Sequence, residues 1–212
     1  MSTGLVTPST SPLALALTGA SGAVYGLRLL ECLIETGRPL YLMISEAGQM
    51  VLRLETDFDI PAHPKAAEVW FNERYKIRPG QLRVFGRKDW TAPLASGSHP
   101  LAALVVCPCT TGTLAAIATG GCDDLIGRAA DVVLKERRRL ILVVRETPFS
   151  EIHLEHMLRL TRMGAVILPA NPGFYFRPQR VEDLVDFVVG RVLDHLAIPH
   201  DLTPRWGAKD RH

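Results

Sequence analysis

Leu13-Ala14-Leu15-Ala16-Leu17, running into Thr18-Gly19-Ala20-Ser21-Gly22-Ala23-Val24-Tyr25-Gly26, is the stretch that decides the fold. Five apolar residues in a row read as a strand covered on both faces, as happens in parallel sheets wrapped by helices. The glycines open a tight turn. From Gly22 to Glu35, Tyr25, Leu29, Leu30, Leu33 and Ile34 then line one helical face. Strand, glycine turn and helix predict the first half of a βαβ unit.

The rest of the chain repeats the alternation. Strands are expected at Leu40–Ile44, Arg83–Phe85, Ala102–Val106, Leu140–Val144 and Ala165–Leu168. Helical text continues from the second strand to about Leu54, then recurs at Thr113–Ala118, Ile126–Lys135, Glu151–Met163 and Val181–Leu196. A more polar stretch from Asp57 to Gly80 carries no assigned element. No linker, repeat or low-complexity segment interrupts the pattern. The expectation is one α/β domain over residues 13–207, a doubly wound parallel sheet of Rossmann-like or flavodoxin-like type with helices on both faces. Residues 1–12 are expected to be a disordered tail and 208–212 a short C-terminal one. A ligand should lie outside the carboxyl ends of the strands.

Composition narrows the function. Apolar residues make up 47% of the 212, enough buried surface to exclude disorder over most of the chain. The 24 basic and 22 acidic residues leave a net charge of +2 and no basic stripe, so no nucleic-acid partner is expected. The one basic run, Lys135-Glu136-Arg137-Arg138-Arg139, reads as a solvated helix end. No apolar run approaches the roughly 18 residues that span a bilayer, so no membrane role is expected. Met1 to Pro12 lacks Lys and Arg, unlike a secretory signal. Cys32, Cys107, Cys109 and Cys122 are too few for a disulfide framework. His153 and His156 stand in His-Leu-Glu-His, not the His-Glu-x-x-His of zinc proteases. Neither pattern predicts a metal site, and a reducing cytoplasm fits the thiols.

Four strand ends carry unusual chemistry. Thr18 to Gly26 lets a ligand approach the backbone and offers helix N–H groups to a phosphate, without matching a dinucleotide fingerprint or a P-loop. Met43-Ile44-Ser45-Glu46 sets an acid where a ribose-binding carboxylate would fall in an NAD enzyme; Ser45 as a helix cap is the plainer reading. Cys107-Pro108-Cys109-Thr110-Thr111-Gly112-Thr113 supplies three hydroxyls where a cap needs one. Val144-Arg145-Glu146-Thr147-Pro148-Phe149 ends an apolar strand in charge, either a surface Arg–Glu pair or a planar donor fork for a ligand. No Tyr-x-x-x-Lys pair supports a short-chain dehydrogenase.

Taken in order, these motifs resemble the flavin prenyltransferases, the UbiX-like enzymes. The resemblance spans Leu13 to Gly207. It rests on Thr18–Gly26, Glu-Thr-Asp at 55–57, Ala-Ser-Gly-Ser at 95–98, Arg-Ala-Ala-Asp-Val-x-Leu-Lys-Glu-Arg-Arg at 128–138, Arg-Glu-x-Pro-Phe at 145–149, Pro-Gly-Phe-Tyr at 172–175 and Asp-Phe-Val-Val-x-Arg at 186–191. Each is weak alone; the ordered set is specific.

That resemblance implies reduced FMN as a substrate bound like a cofactor. It implies dimethylallyl monophosphate as the donor, and attachment of the prenyl group to flavin N5 and C6. The product, prenylated FMN, would serve a UbiD-type decarboxylase in ubiquinone synthesis or related aromatic acid decarboxylation. By position, Gly19, Ala20, Ser21, Ser45, Thr110, Thr111, Gly112, Thr113 and Arg145 would hold FMN. Ser96, Gly97, Arg128, Lys135, Glu146, Tyr175 and Arg191 would surround the donor phosphate, some from neighbouring subunits, with Trp90 beside the prenyl group. Ser21, Glu55, Glu146 and Tyr175 are the expected catalytic set, with Glu55 and Ser21 handling a proton near N5. A homo-oligomer, of dodecamer form, is implied, with Trp206 as one interface anchor.

Two positions depart from the family. Thr110 replaces a usual Ser and keeps the hydroxyl. Asp124 replaces a usual Asn and adds a charge near Arg128. The competing readings are an FMN-dependent cysteine decarboxylase, whose Pro-x-Met-Asn motif is missing, and a flavin carrier without turnover. Asp123-Asp124 is not completed to Asp-Asp-x-x-Asp because Gly127 stands at the third position. Metal-independent transfer from a monophosphate is therefore expected, the two acids lying on a turn before the Ile126 helix.

Overall fold

Along β1 (Leu13–Leu17) the leucines point to one side of a sheet and the alanines to the other, and all five residues are buried. The structure is a computed structural model that describes residues 11–204. Trp206, the C-terminal tail and residues 1–10 of the N-terminal tail lie outside the described residues.

Five further strands run parallel to β1: β2 (Leu40–Ile44), β3 (Leu82–Phe85), β4 (Ala103–Cys109), β5 (Arg139–Val144) and β6 (Val166–Ile167). Their order is β3-β2-β1-β4-β5-β6. The leucine side of β1 meets α1 (Ala23–Glu35), α2 (Glu46–Glu55), α3 (Pro64–Tyr75) and α7 (Val181–His195). The alanine side meets α4 (Thr111–Thr119), α5 (Leu125–Lys135) and α6 (Glu151–Arg162). Both layers are apolar because helices cover both faces of the central strands, which explains the unbroken apolar runs there, whereas the outer strands β3 and β6 are only partly covered. The doubly wound α/β expectation holds, with the strand order of dinucleotide-binding folds.

The structure adds a helix where none was assigned. Within the polar 57–80 stretch, α3 has Pro64 in its first turn and buries Ala67 and Phe71. Only that narrow strip faces the core, so Glu, Lys and Asn on the remaining sides mask the period. The strand β4 also runs to Cys109, three residues beyond the expected Val106, with a register shift between the two. That extension carries Thr110 to the sheet's edge beside Thr18. The basic run is largely the solvated helix end expected: Lys135 ends α5, Glu136, Arg137 and Arg139 are exposed, Arg137 takes a left-handed φ of 55°, and Arg139 begins β5.

Candidate functional site

Successive strands leave β1 toward β2 in one direction and β4 in the other. A crevice therefore opens at the carboxyl ends of β1 and β4. Thr18, just past β1, is buried at 2% exposure. Its hydroxyl donates to the Pro108 carbonyl at 2.7 Å and accepts the Thr110 N–H at 2.9 Å. Both capacities of one hydroxyl thus join the two loops that flank the crevice. Sequence reasoning did not single out Thr18; the available signal was a hydroxyl directly after a buried apolar run.

The first loop leads into α1. At Gly19 an added Cβ would stand 2.4 Å from the Cβ of Ala47, so no side chain fits between this loop and the start of α2. Ser45 caps α2, accepting the Gly48 N–H at 3.0 Å, and keeps its own hydroxyl hydrogen to donate. The capping reading is correct as far as it goes.

Thr110 caps α4 by accepting the Thr113 N–H at 3.0 Å, and donates to the Thr113 hydroxyl at 2.9 Å. Its hydrogen-bonding capacity is largely spent on structure. The hydroxyl hydrogens of Thr111 and Thr113 remain, along with the first-turn N–H groups of Thr111 and Gly112, which have no intrahelical acceptor. A helix start with spare N–H and O–H donors suits a phosphate or a polyol.

On the other side, Arg145 turns its Nε to the Ser21 carbonyl at 2.9 Å. It does not form the surface pair with Glu146, whose Oε1 instead accepts the neighbouring Thr147 N–H at 3.0 Å. Glu55, at the end of α2, accepts from the backbone N–H groups of Gly22 and Ala23, each at 2.8 Å. Partial burial pushes its carboxyl up. Hydrogen bonds from Ser21, Ala23 and Gly22, with Arg145 nearby, outweigh that and hold it below the ordinary 4.5. Glu55 is therefore held as a carboxylate at neutral pH, bound to the N–H groups that open α1. Arg145, Ser21 and Glu55 form one connected group at the start of α1.

A second cluster lies on the other flank of the fold. Arg128 Nε donates to the Ala95 carbonyl at 3.0 Å, which brings α5 against the Ser96–Gly97 loop. Gly97 lies against the Lys135–Glu136 pair: an added Cβ there would be 2.8 Å from Lys135 Nζ and 2.2 Å from Glu136 Oε1, the movable ends of two flexible side chains. Lys135 itself pairs with Glu136. Trp90 is half-exposed, with Lys88 Nζ 5.5 Å from its ring centroid.

Arg191 stands apart from this cluster. Tyr175 is 83% exposed before α7, and Arg191 lies on α7, on the sheet face opposite α5, held by Asp194 at 2.6 Å. One chain alone does not unite Arg191 with Ser96, Gly97, Arg128 and Lys135.

The remaining candidates resolve simply. Glu46, placed like a ribose-binding acid, is exposed and pairs with Arg87 at 3.2 Å. Burial pushes the Cys109 thiol up to about 12 and Cys107 higher still, so neither is a thiolate nucleophile. Asp124 is the cap of α5, accepting the Gly127 N–H at 2.8 Å, as the turn reading anticipates. No group of three or more metal-ligating side chains occurs among the described residues, and none of their helices is long and apolar enough to cross a membrane.

Known proteins share this architecture. The family model described as Flavoprotein matches residues 6–193. The flavin prenyltransferase UbiX of Pseudomonas aeruginosa is 61% identical over 193 residues, covering 91% of this chain and 92% of that protein. A crystal structure of AnUbiX in complex with FMN and dimethylallyl pyrophosphate superposes with a TM-score of 0.82 at 41% identity, over 93% of this chain and 98% of that one. A dodecameric FMN-dependent UbiX-like decarboxylase from Escherichia coli O157:H7 gives 0.80 at 39% identity, over 93% and 99%. An FMN-dependent cysteine decarboxylase, TvaF, is 17% identical with a TM-score of 0.57, a likeness of fold alone.

Proposed function

The chain belongs to the Flavoprotein family, and we propose that within it the protein is a flavin prenyltransferase that binds reduced FMN at the β1–β4 crevice. The observation that carries this reading is the pairing of spare donors at the start of α4 with the Arg145–Ser21–Glu55 group facing them across the two loops. The donors of Ser45, Thr111, Gly112 and Thr113 suit the flavin's ribityl chain and phosphate. The guanidinium of Arg145 suits the carbonyl edge of its ring. When bound, reduced FMN would supply the electron-rich N5 and C6 to be prenylated: phosphate leaves with the C–O electrons, N5 gives up its proton, and the proton lost from C6 is balanced by one taken up by the prenyl alkene.

The protein's own tasks follow from that chemistry. Lys135, Arg128 and the hydroxyl of Ser96 meet the departing phosphate with charge-assisted hydrogen bonds, each contributing about 1.5–3 kcal/mol. Such contacts accelerate the reaction to the extent that they strengthen as negative charge builds on the leaving group. Arg191 and Tyr175 complete the phosphate shell from a neighbouring copy, because their own chain keeps Arg191 on the opposite face. Trp90 offers an aromatic face to the cation-like prenyl fragment. Ser21 and Glu55 hold or accept the proton at N5, and Glu146 orders the phosphate side.

A dodecamer is the assembly this arrangement favours, as in the Escherichia coli relative. The product would pass to a UbiD-type decarboxylase. We place the protein in a reducing cytoplasm, consistent with four unpaired cysteines. The deciding experiment incubates the protein with reduced FMN and dimethylallyl monophosphate, then weighs the flavin released. A flavin heavier by one prenyl unit supports the reading; unchanged FMN beside consumed donor, or no turnover at all, sinks it.

A further inference from the structure

Arg138 lies in the basic run that follows α5, and its side chain is committed to the loop beside Lys135. Its position is set by the end of α5. Arg137, at a φ of 55°, reverses the chain, and the Arg138 N–H returns to the Val133 carbonyl at 2.9 Å. This closure resembles the usual left-handed helix stop and fixes where the next side chain begins. From there, Arg138 Nη1 donates to the His99 carbonyl at 2.7 Å and Nη2 to the Gly97 carbonyl at 2.8 Å.

We propose that Arg138 is a positioning residue for the prenyl donor, holding loop 95–99 so that Ser96 and Gly97 face the leaving phosphate beside Lys135. The inference rests on the reading of that cluster as the phosphate site. Three alternate carbonyls of the loop are bound by guanidinium groups, Ala95 by Arg128 and Gly97 and His99 by Arg138. The planar fork of Arg138 grips two of them at once, which a lysine ammonium reproduces less well. The far end is pinned by the His99 ring against the Tyr41 hydroxyl at 2.9 Å. With its carbonyls bound this way, the loop leaves the Ser96 and Ser98 hydroxyls exposed, 2.9 Å from each other. Arg138 spends both terminal nitrogens on the loop, so it acts through Gly97 and Ser96 and does not itself touch the phosphate.

The test compares Arg138→Leu, Arg138→Lys and Lys135→Ala by donor KM, kcat and the Kd for FMN. Arg138→Leu should raise the KM for dimethylallyl monophosphate about tenfold or more, as expected for two lost charge-assisted bonds, with the FMN Kd within about twofold. Arg138→Lys should recover part of the KM, because one ammonium still reaches one carbonyl, and it also serves if the leucine variant does not fold. An unchanged KM in the Arg138 variants, alongside a raised KM in Lys135→Ala, overturns the positioning role and leaves the phosphate site standing. Unchanged KM in all three variants overturns the phosphate site itself. A parallel loss of FMN and donor binding makes Arg138 a general structural residue and also overturns the proposal.

Discussion

The Thr110 N–H donates to the Thr18 hydroxyl at 2.9 Å across 92 residues of chain, tying together the two loops that flank the crevice. Replacing Thr18 by Val keeps the shape and removes the hydroxyl. The Pro108 carbonyl retains the Thr18 N–H at 3.2 Å, but the Thr110 N–H loses its acceptor. Leaving such a group unsatisfied costs about 1–3 kcal/mol. A urea titration of Thr18→Val should show that loss together with weaker FMN binding, and Thr18→Ser should restore both. Wild-type stability and affinity in Thr18→Val would remove the bond from any account of the site.

Glu55 gives a pH signature. Its carboxyl lies below 4.5 because the bonds from Ser21, Ala23 and Gly22 outweigh the effect of burial. A depressed folded pKa means the stabilisation is complete above the unfolded value and is lost as pH falls through the folded one. Wild-type protein should therefore weaken on the acid side of 4.5, and Glu55→Gln should lose this part of the acid dependence. At neutral pH the variant should turn over about 100-fold or more slowly, the scale of a lost general base, with FMN binding little changed. Urea titrations of wild type and variant from about pH 3 to about pH 8 check the first half, and turnover rates with FMN titrations at neutral pH check the second. Normal turnover in the variant would leave Glu55 as a cap for α1 and nothing more.

Arg145→Ala severs the link to the Ser21 carbonyl at 2.9 Å and removes the guanidinium facing the crevice. FMN affinity should fall about tenfold to a hundredfold, the worth of a bond to a charged group. Calorimetry measures it directly, and an unchanged Kd would detach Arg145 from the flavin.

A site shared between copies predicts complementation. Lys135 and Arg191 belong to opposite faces of the sheet. Lys135→Ala and Arg191→Ala should each be nearly inactive alone, but mixed oligomers reassembled from both should regain a measurable fraction of activity. Light scattering would check that the mixture is oligomeric. A fully active monomer, or no recovery on mixing, would contradict a shared site.

Prenyl transfer should proceed with EDTA present, and the monophosphate donor should outperform the diphosphate. A single phosphate carries less charge than a diphosphate, and Arg128, Lys135 and Arg191 supply protein cations to meet it. Asp124 is occupied as the cap of α5, accepting from Gly127 at 2.8 Å. Activity abolished by chelator and restored by magnesium would overturn this account of the leaving group.

Much was legible in order along the chain. The apolar runs at 13–17, 40–44 and 140–144, with the helical period between them, determined a parallel α/β sheet because local pattern and burial agree there. The Thr18–Gly26 and Thr110–Thr113 turns were readable as candidate ligand loops from their surplus of hydroxyls and glycines, although folding spends the Thr18 and Thr110 hydroxyls on structure. Helix α3 was hidden because its buried strip is as narrow as Ala67 and Phe71.

Tertiary structure alone decided the rest, for reasons of distance in sequence. Arg145 could be a surface partner of Glu146 until folding brought it to Ser21, and Arg138 a solvated charge until α5 turned it onto Gly97 and His99. The Glu55 carboxylate reaches the N–H groups at the start of α1 only because α2 ends there. Sequence determines which side chains are available and the period that folds them. A hydrogen bond between residues dozens of positions apart depends on how the elements pack, and no local pattern records that.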